Sequence, residues 1–234
     1  TKLTFADAYA LDYGLNPQRL PFKGNPFSLF MCDIPGITTY NYLVLNDSFY
    51  AQTNLPALPA GVVICSLAQA FVQHADLLQP YISQLALQNP DVALNQLLAQ
   101  DGMFLYVPDG VQLERPIQLV NMMYGTVDMM AVSHNVAIIG ENAKAQVLVC
   151  DHAYGSEVSY LSNRLTQVFV GKNAIYEHYK LESSSEKTTN VSTLQITQQE
   201  GSQVLTNLIT LANGKTHNRV DVNLNGKGAH LSIN

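Results

Sequence analysis

The sequence predicts a mainly β fold: a parallel β-helix with two strands per repeat of about 30 residues, preceded by a small α/β N-terminal segment. Three observations carry this. Glycines recur at Gly110, Gly140, Gly171, Gly201 and Gly226, spaced 30, 31, 30 and 25 residues apart. An apolar, β-rich run enters and another leaves around each of them. Helical spacing of apolar residues is confined to the region before residue 101.

From Thr1 to about Pro59 the chain is rich in aromatics and prolines, with short apolar runs such as Tyr42-Leu43-Val44-Leu45, and reads as irregular with up to two strands. Between Ser66 and Gln100, Leu67, Phe71, Ala75, Leu78, Ile82 and Leu85 recur at three- and four-residue steps, followed by Val92, Leu94, Leu97 and Leu98. That pattern predicts two amphipathic helices, broken at Asn89-Pro90. The character changes at Asp101-Gly102, dividing the chain into an N-terminal segment, 1–100, and a β-helical part, 101–234.

The predicted strand pairs are Met103–Val107 with Ile117–Val120, Val136–Ile139 with Gln146–Val149, Leu165–Val170 with Ile175–Leu181, Leu194–Thr197 with Val204–Leu211, and Val220–Leu224 with His230–Ile233. A unit of this size cannot bury its own apolar face, so successive units stack to build a continuous core. Propeller blades of the WD40 type are longer and carry a Trp-Asp signature, and this chain has no Trp. A β-sandwich would use the same strands, but the regular glycine spacing favours the solenoid. Leu231-Ser232-Ile233-Asn234 reads as a strand in progress, and Thr1 is not a methionine. Both suggest truncation. A β-helix cut between rungs exposes an unpaired edge, so self-association into a homodimer through the C-terminal end is expected.

Charged residues make up 13% of the 234, below the roughly 25% usual in globular domains, and hydrophobic residues 47%. Polarity without charge suits long stacked strands. The net charge is −6 and the basic residues are scattered, which argues against nucleic-acid binding. No apolar run approaches the ~20 residues needed to cross a bilayer, so a membrane role is not expected and a cytoplasmic location is. Cys32, Cys65 and Cys150 form no CxxC pair and are read as reduced thiols.

The string Asp91-Val92-Ala93-Leu94-Asn95-Gln96-Leu97-Leu98-Ala99-Gln100-Asp101-Gly102-Met103-Phe104-Leu105-Tyr106-Val107-Pro108-Asp109-Gly110-Val111 resembles a pattern of the SufB/SufD family, "A-L-N-x-A-hydrophobic" followed by "D-G-x-hydrophobic-hydrophobic-x-V-P-x-G-V". Arg115-Pro116-Ile117-Gln118-Leu119 resembles the "P-I-x-L" strand that follows. Ile139-Gly140-Glu141-Asn142-Ala143 and Val170-Gly171-Lys172-Asn173-Ala174 resemble the family's "hydrophobic-G-x-x-A" turns, and Asn225-Gly226-Lys227-Gly228-Ala229-His230-Leu231 a later rung. Tyr13-Gly14-Leu15 and the strand near Tyr42–Leu45 look like the SufD branch.

That resemblance implies a right-handed parallel β-helix and a scaffold role, not a free-standing enzyme, in iron–sulfur cluster assembly by the SUF system. SufB and SufD pair with each other and with the ATPase SufC, so SufB-like and SufC-like partners are implied, with ATP hydrolysis in the partner subunit. The Fe–S cluster, and flavin, would belong to the assembled complex. The family's cluster-holding Cys and His residues and its SufC-docking helical domain have no counterpart here, so the resemblance transfers no catalytic residue, no metal ligand and no cofactor contact.

Cys150-Asp151-His152 offers three metal-ligating groups, but on a strand Cys150 and His152 share a face while Asp151 points away. The preferred reading is a buried Cys150 beside a turn-forming Asp151-His152. Glu177 and His178 fall on opposite faces, and Glu177 is read as a hydrogen-bonded structural residue or one at a subunit contact. His74, His134, His217 and His230 show no zinc spacing, and neither a G-x-S-x-G elbow nor a phosphate loop is present. The competing function is a carbohydrate-active β-helix, which needs clustered carboxylates on a rung face; those of the β-helical part are dispersed. A generic interaction solenoid is the third reading.

Overall fold

The structure, a computed structural model, describes residues 14–15, 22, 24–30, 32, 36–82, 90–155 and 157–234. Its strands are β1 Gly14–Leu15, β2 Tyr40–Leu45, β3 Ser48–Ala51, β4 Val63–Ser66, β5 Met103–Val107, β6 Ile117–Met123, β7 Met129–Ile139, β8 Lys144–Ala153, β9 Tyr160–Val170, β10 Ile175–Ser183, β11 Thr188–Gln198, β12 Gln203–Ala212, β13 Lys215–Leu224 and β14 His230–Ile233. Three helices intervene between β4 and β5: α1 Leu67–Gln73, α2 Ala75–Ile82 and α3 Pro90–Leu98.

From β5 onward the chain winds as a β-solenoid. Odd strands stack in one sheet, β13-β11-β9-β7-β5, and even strands in the other, β14-β12-β10-β8-β6, with every neighbouring pair parallel. All five strand pairs expected from the sequence form, and most run longer than expected. The N-terminal end is finished differently. β2 extends the even sheet in parallel on β6, and β3 folds back antiparallel on β2. β4 lies antiparallel on β5, and β1 pairs with β7.

Strand alternation divides each rung into a lumenal and an outer face. The lumen holds Leu119 on β6, Ala137 and Ile139 on β7, Val147 and Val149 on β8, Val168 and Val170 on β9, and Leu194 and Ile196 on β11, all in one apolar cluster. Fully burying each Val, Leu or Ile among them is worth about 1.5–3 kcal/mol. The outer faces are covered too. Leu67, Ala70 and Leu78 of α1 and α2 pack on Phe104, Val136, Ile138 and Phe169 of the odd sheet. Phe27 and Phe30 pack with Leu43, Leu45, Val120 and Met122 on the even sheet.

The predicted helical region differs in one respect: its first helix is divided at His74 into α1 and α2. The break lets Leu67 and Leu78 reach the same sheet face, while Phe71 and Val72 stay exposed. The other predicted break, at Asn89, and the apolar Leu85 lie outside the described residues, as does Tyr13.

The glycines also serve two purposes that their spacing merges into one. The left-handed turn positions are Gly110, Asn142, Asn173, Gly201 and Gly228. Gly171 is needed for a different reason: a Cβ there would meet the Gly140 carbonyl carbon at 2.8 Å and the Glu141 nitrogen at 2.9 Å, both backbone atoms of the rung below. Gly171→Ala is therefore expected to cost about 2 kcal/mol through overpacking, read as a lowered urea midpoint at unchanged m-value.

Candidate functional site

The lumen is apolar near the glycine turns and polar at the other end of the same strands. On β10, Tyr176, His178, Lys180 and Glu182 all point inward, and β8 contributes Asp151 and β9 Arg164. Six neighbours from three consecutive strands thus carry charge or polarity into the interior. Their arrangement satisfies most of them. Asp151 lies 3.2 Å from Lys180 Nζ and 3.5 Å from Arg164 Nη1, and accepts from Asn121 Nδ2 at 2.7 Å. Glu182, whose side chain is 0% exposed, accepts from Asn190, from Asn213 at 2.6 Å and from the Thr216 hydroxyl at 2.6 Å, with Lys180 Nζ at 3.7 Å. Lys180 also donates to Asn218 at 2.8 Å, and Arg164 to the Ser162 hydroxyl at 2.8 Å.

Burial alone would raise the Asp151 carboxyl, but Lys180, Arg164 and the Asn121 hydrogen bond outweigh it and hold it below the usual carboxylate range. Two cations and two carboxylates cancel, so the lumen carries no net charge. Asp151, Arg164, His178 and Lys180 border a cavity of about 20 Å³, room for about one water molecule. His178 Nδ1 is hydrogen-bonded to the Tyr176 hydroxyl at 2.9 Å, and burial together with the Lys180 charge depresses the imidazole to about 4.

The Cys150-Asp151-His152 triplet is not a turn; all three residues lie within β8. They divide between faces as alternation requires. Asp151 enters the lumen, while Cys150 and His152 project outward beneath the N-terminal segment, where Cys32 meets them. One ligand atom from each of Cys32, Cys150 and His152 lies within 4.8 Å of the others, a grouping that could hold a metal ion. Burial, then the neighbouring Cys32 thiol, pushes the Cys150 thiol up to about 12.

Glu177 is on the outer face of β10, accepting from Gln146 Nε2 at 2.8 Å and the Tyr179 hydroxyl at 2.7 Å, a hydrogen-bonded position as expected. His134 is buried on the outer face of β7 and donates from Nε2 to Gln167 at 2.7 Å. His74 ends α1, and His217 and His230 lie on β13 and β14, so these histidines do not converge. Sequence reasoning missed Arg164, Glu182 and the approach of Cys32. On β10 the inward residues follow strand alternation, at every second position from Tyr176 to Glu182. Cys32 reaches the triplet only through the tertiary fold, and no local signal marks it.

Residues 2–119 match the family model described as SufBD protein N-terminal region, and residues 122–234 that of the SUF system FeS cluster assembly SufBD core domain. The chain belongs to the SufBD family. It is similar to the iron-sulfur cluster assembly protein SufD of Bacillus subtilis (strain 168), 26% identical over 181 residues, covering 73% of this chain and 40% of that protein. It is also similar to the SufBD family protein slr0074 of Synechocystis, 37% over 54 residues (22% of this chain, 11% of the relative), and to ABCI9 of Arabidopsis thaliana, 30% over 77 residues (32% and 16%). The chain thus spans less than half the length of these curated relatives.

In this SufBD chain, the string around Asp91–Val111 is the joint between helices and solenoid. Asn95 of α3 donates to the Ser133 carbonyl at 2.9 Å and the Asn163 carbonyl at 3.1 Å, pinning the helix across two rungs. Asp101 accepts from the Ser66 hydroxyl at 2.7 Å and the Ala68 N–H at 3.1 Å, closing the start of α1. A Cβ at Gly102 would meet the His134 carbonyl oxygen at 2.0 Å. The motif that carries the resemblance is architectural.

Proposed function

We propose that this chain acts as a scaffold subunit, of the SufD type, in SUF iron–sulfur cluster assembly, pairing with a SufB-like subunit and a SufC-like ATPase. The observation that carries the reading is that the two SufBD family models together span residues 2–119 and 122–234, nearly the whole chain. The geometry agrees with a structural role. The carboxylates that a carbohydrate-active β-helix would display on a groove are here partly inside, with Asp151 and Glu182 neutralised by Arg164 and Lys180.

In this reading the cluster is cargo assembled on the complex, flavin is a component of the complex, ATP is hydrolysed by the partner, and the location is cytoplasmic. No helix among the described residues is long and apolar enough to cross a membrane. β13 and β14 are the outermost strands of the two sheets at one end, with Leu211, Leu224 and Ile233 exposed there, and this end is where a second scaffold chain would stack.

The test is co-purification of the full-length protein with SufB-like and SufC-like partners under anaerobic conditions, with stoichiometry, iron and sulfide measured together. A stable complex carrying both elements is the expected result. Absence of association with either partner would overturn the assignment.

A further inference from the structure

We propose that Cys32, Cys150 and His152 form a binding site for one thiophilic divalent cation, with Zn²⁺ as its reference ion, that fastens the N-terminal segment to the outer face of the solenoid.

Two thiols and an imidazole suit a borderline-soft cation, and two thiolates with a neutral imidazole balance its double charge. In a tetrahedral site with bonds of about 2.0–2.3 Å, ligand atoms stand roughly 3.5–3.8 Å apart. The three ligand atoms here already lie within 4.8 Å of one another, so an inward movement of about 1 Å closes the site.

The surroundings hold two of the ligand residues, His152 and Cys150, through hydrogen bonds of their own. His152 Nδ1 is 3.1 Å from the Ser183 carbonyl oxygen. A carbonyl only accepts, so Nδ1 holds the proton and Nε2 keeps the lone pair; an imidazole ligand is usually oriented by such a hydrogen bond on its other nitrogen. Gln118 donates from Nε2 both to the Cys32 carbonyl and to Cys150 Sγ, the latter at 3.8 Å. One amide therefore clamps the two segments that supply the thiols.

Cys150 is buried, whereas Cys32 and His152 are half-buried, which leaves a way in from solvent and a fourth position for water or a ligand from another chain. The aromatic group of Phe30, Tyr124 and Tyr154 packs nearby on the same side of the even sheet. Binding releases both thiol protons as the two metal–sulfur bonds form.

The experiment uses the full chain, reduced and handled anaerobically, titrated with Zn²⁺ by calorimetry and with Co²⁺ by its thiolate charge-transfer absorption. One cation per chain is expected. Cys32→Ser and His152→Gln, both at half-buried positions, are expected to weaken binding at least tenfold while circular dichroism stays unchanged, and Cys65→Ser to leave it unaltered. A fully reduced protein that binds no cation would overturn the proposal. So would affinity unmoved by Cys32→Ser and His152→Gln, or binding lost with Cys65→Ser. A Cys32–Cys150 disulfide that persists through anaerobic purification and whose reduction yields no cation binding would do the same.

Discussion

Asp151→Ala is expected to destabilise the fold by about 3–5 kcal/mol, the usual cost of removing one partner from a buried ion pair. Asp151 is 2% exposed and faces both Lys180 and Arg164, whose side chains are each 5% exposed. Its loss leaves Arg164 with no carboxylate in contact, since Glu182 is paired with Lys180 and held by Asn190, Asn213 and Thr216. The Nε and Nη2 of Arg164 already lack a hydrogen-bond partner, so the guanidinium has little in reserve. Urea unfolding of Asp151→Ala measures the loss. The double variant Asp151→Leu with Arg164→Leu removes one charge of each sign and keeps the Lys180–Glu182 pair. It is expected to lose less than the sum of the two single changes, by about 0.5–3 kcal/mol of coupling. A cost below about 1 kcal/mol for Asp151→Ala would show that the lumen is wet enough to screen these charges.

Acid is expected to weaken the fold well before the carboxylates titrate. His134 and His178 are each lowered from 6.5 to about 4, chiefly by burial. For His134 the Gln167 hydrogen bond opposes the shift; for His178 Lys180 adds to it and Asp151 opposes it. The unfolded chain therefore binds more protons than the folded one between pH 6.5 and 4, and stability rises with pH across that window. Stability is full above pH 6.5, falls as the pH drops toward 4, and the loss is complete below it. Each histidine contributes about 3 kcal/mol to that loss. Urea midpoints measured from pH 7.5 to 4 should show the decline, and His134→Gln should flatten about half of it. A flat profile to pH 4.5 would mean that both imidazoles take up protons in the folded state.

The solenoid was legible because its signals are local and repeated: alternation within each strand and a turn every rung. The same regularity concealed the difference between Gly110, which supplies a left-handed turn, and Gly171, which makes room for the rung beneath it. The helix break at His74 answers to the sheet face that α1 and α2 cover, which no stretch of the helical sequence specifies. The lumen was half legible. Alternation alone sets Tyr176, His178 and Lys180 on one face of β10, but Asp151 and Arg164, which give that face its electrostatic partners, come from other strands. Asp151 was assigned to a turn because Asp and His favour turns; the compensating charge that lets it stay in a strand is tertiary. Cys32 lies in a segment with no periodicity and meets Cys150 only once the outer face is covered.

The two ends of the stack are chemically unequal. At one, β3 and β4 run against the direction of their neighbours, so a strand added there would not continue the coil. At the other, β13 and β14 run with it. The winding therefore has a polarity: a parallel strand laid beside β13 or β14 would continue the coil, whereas β3 and β4 turn it back on itself.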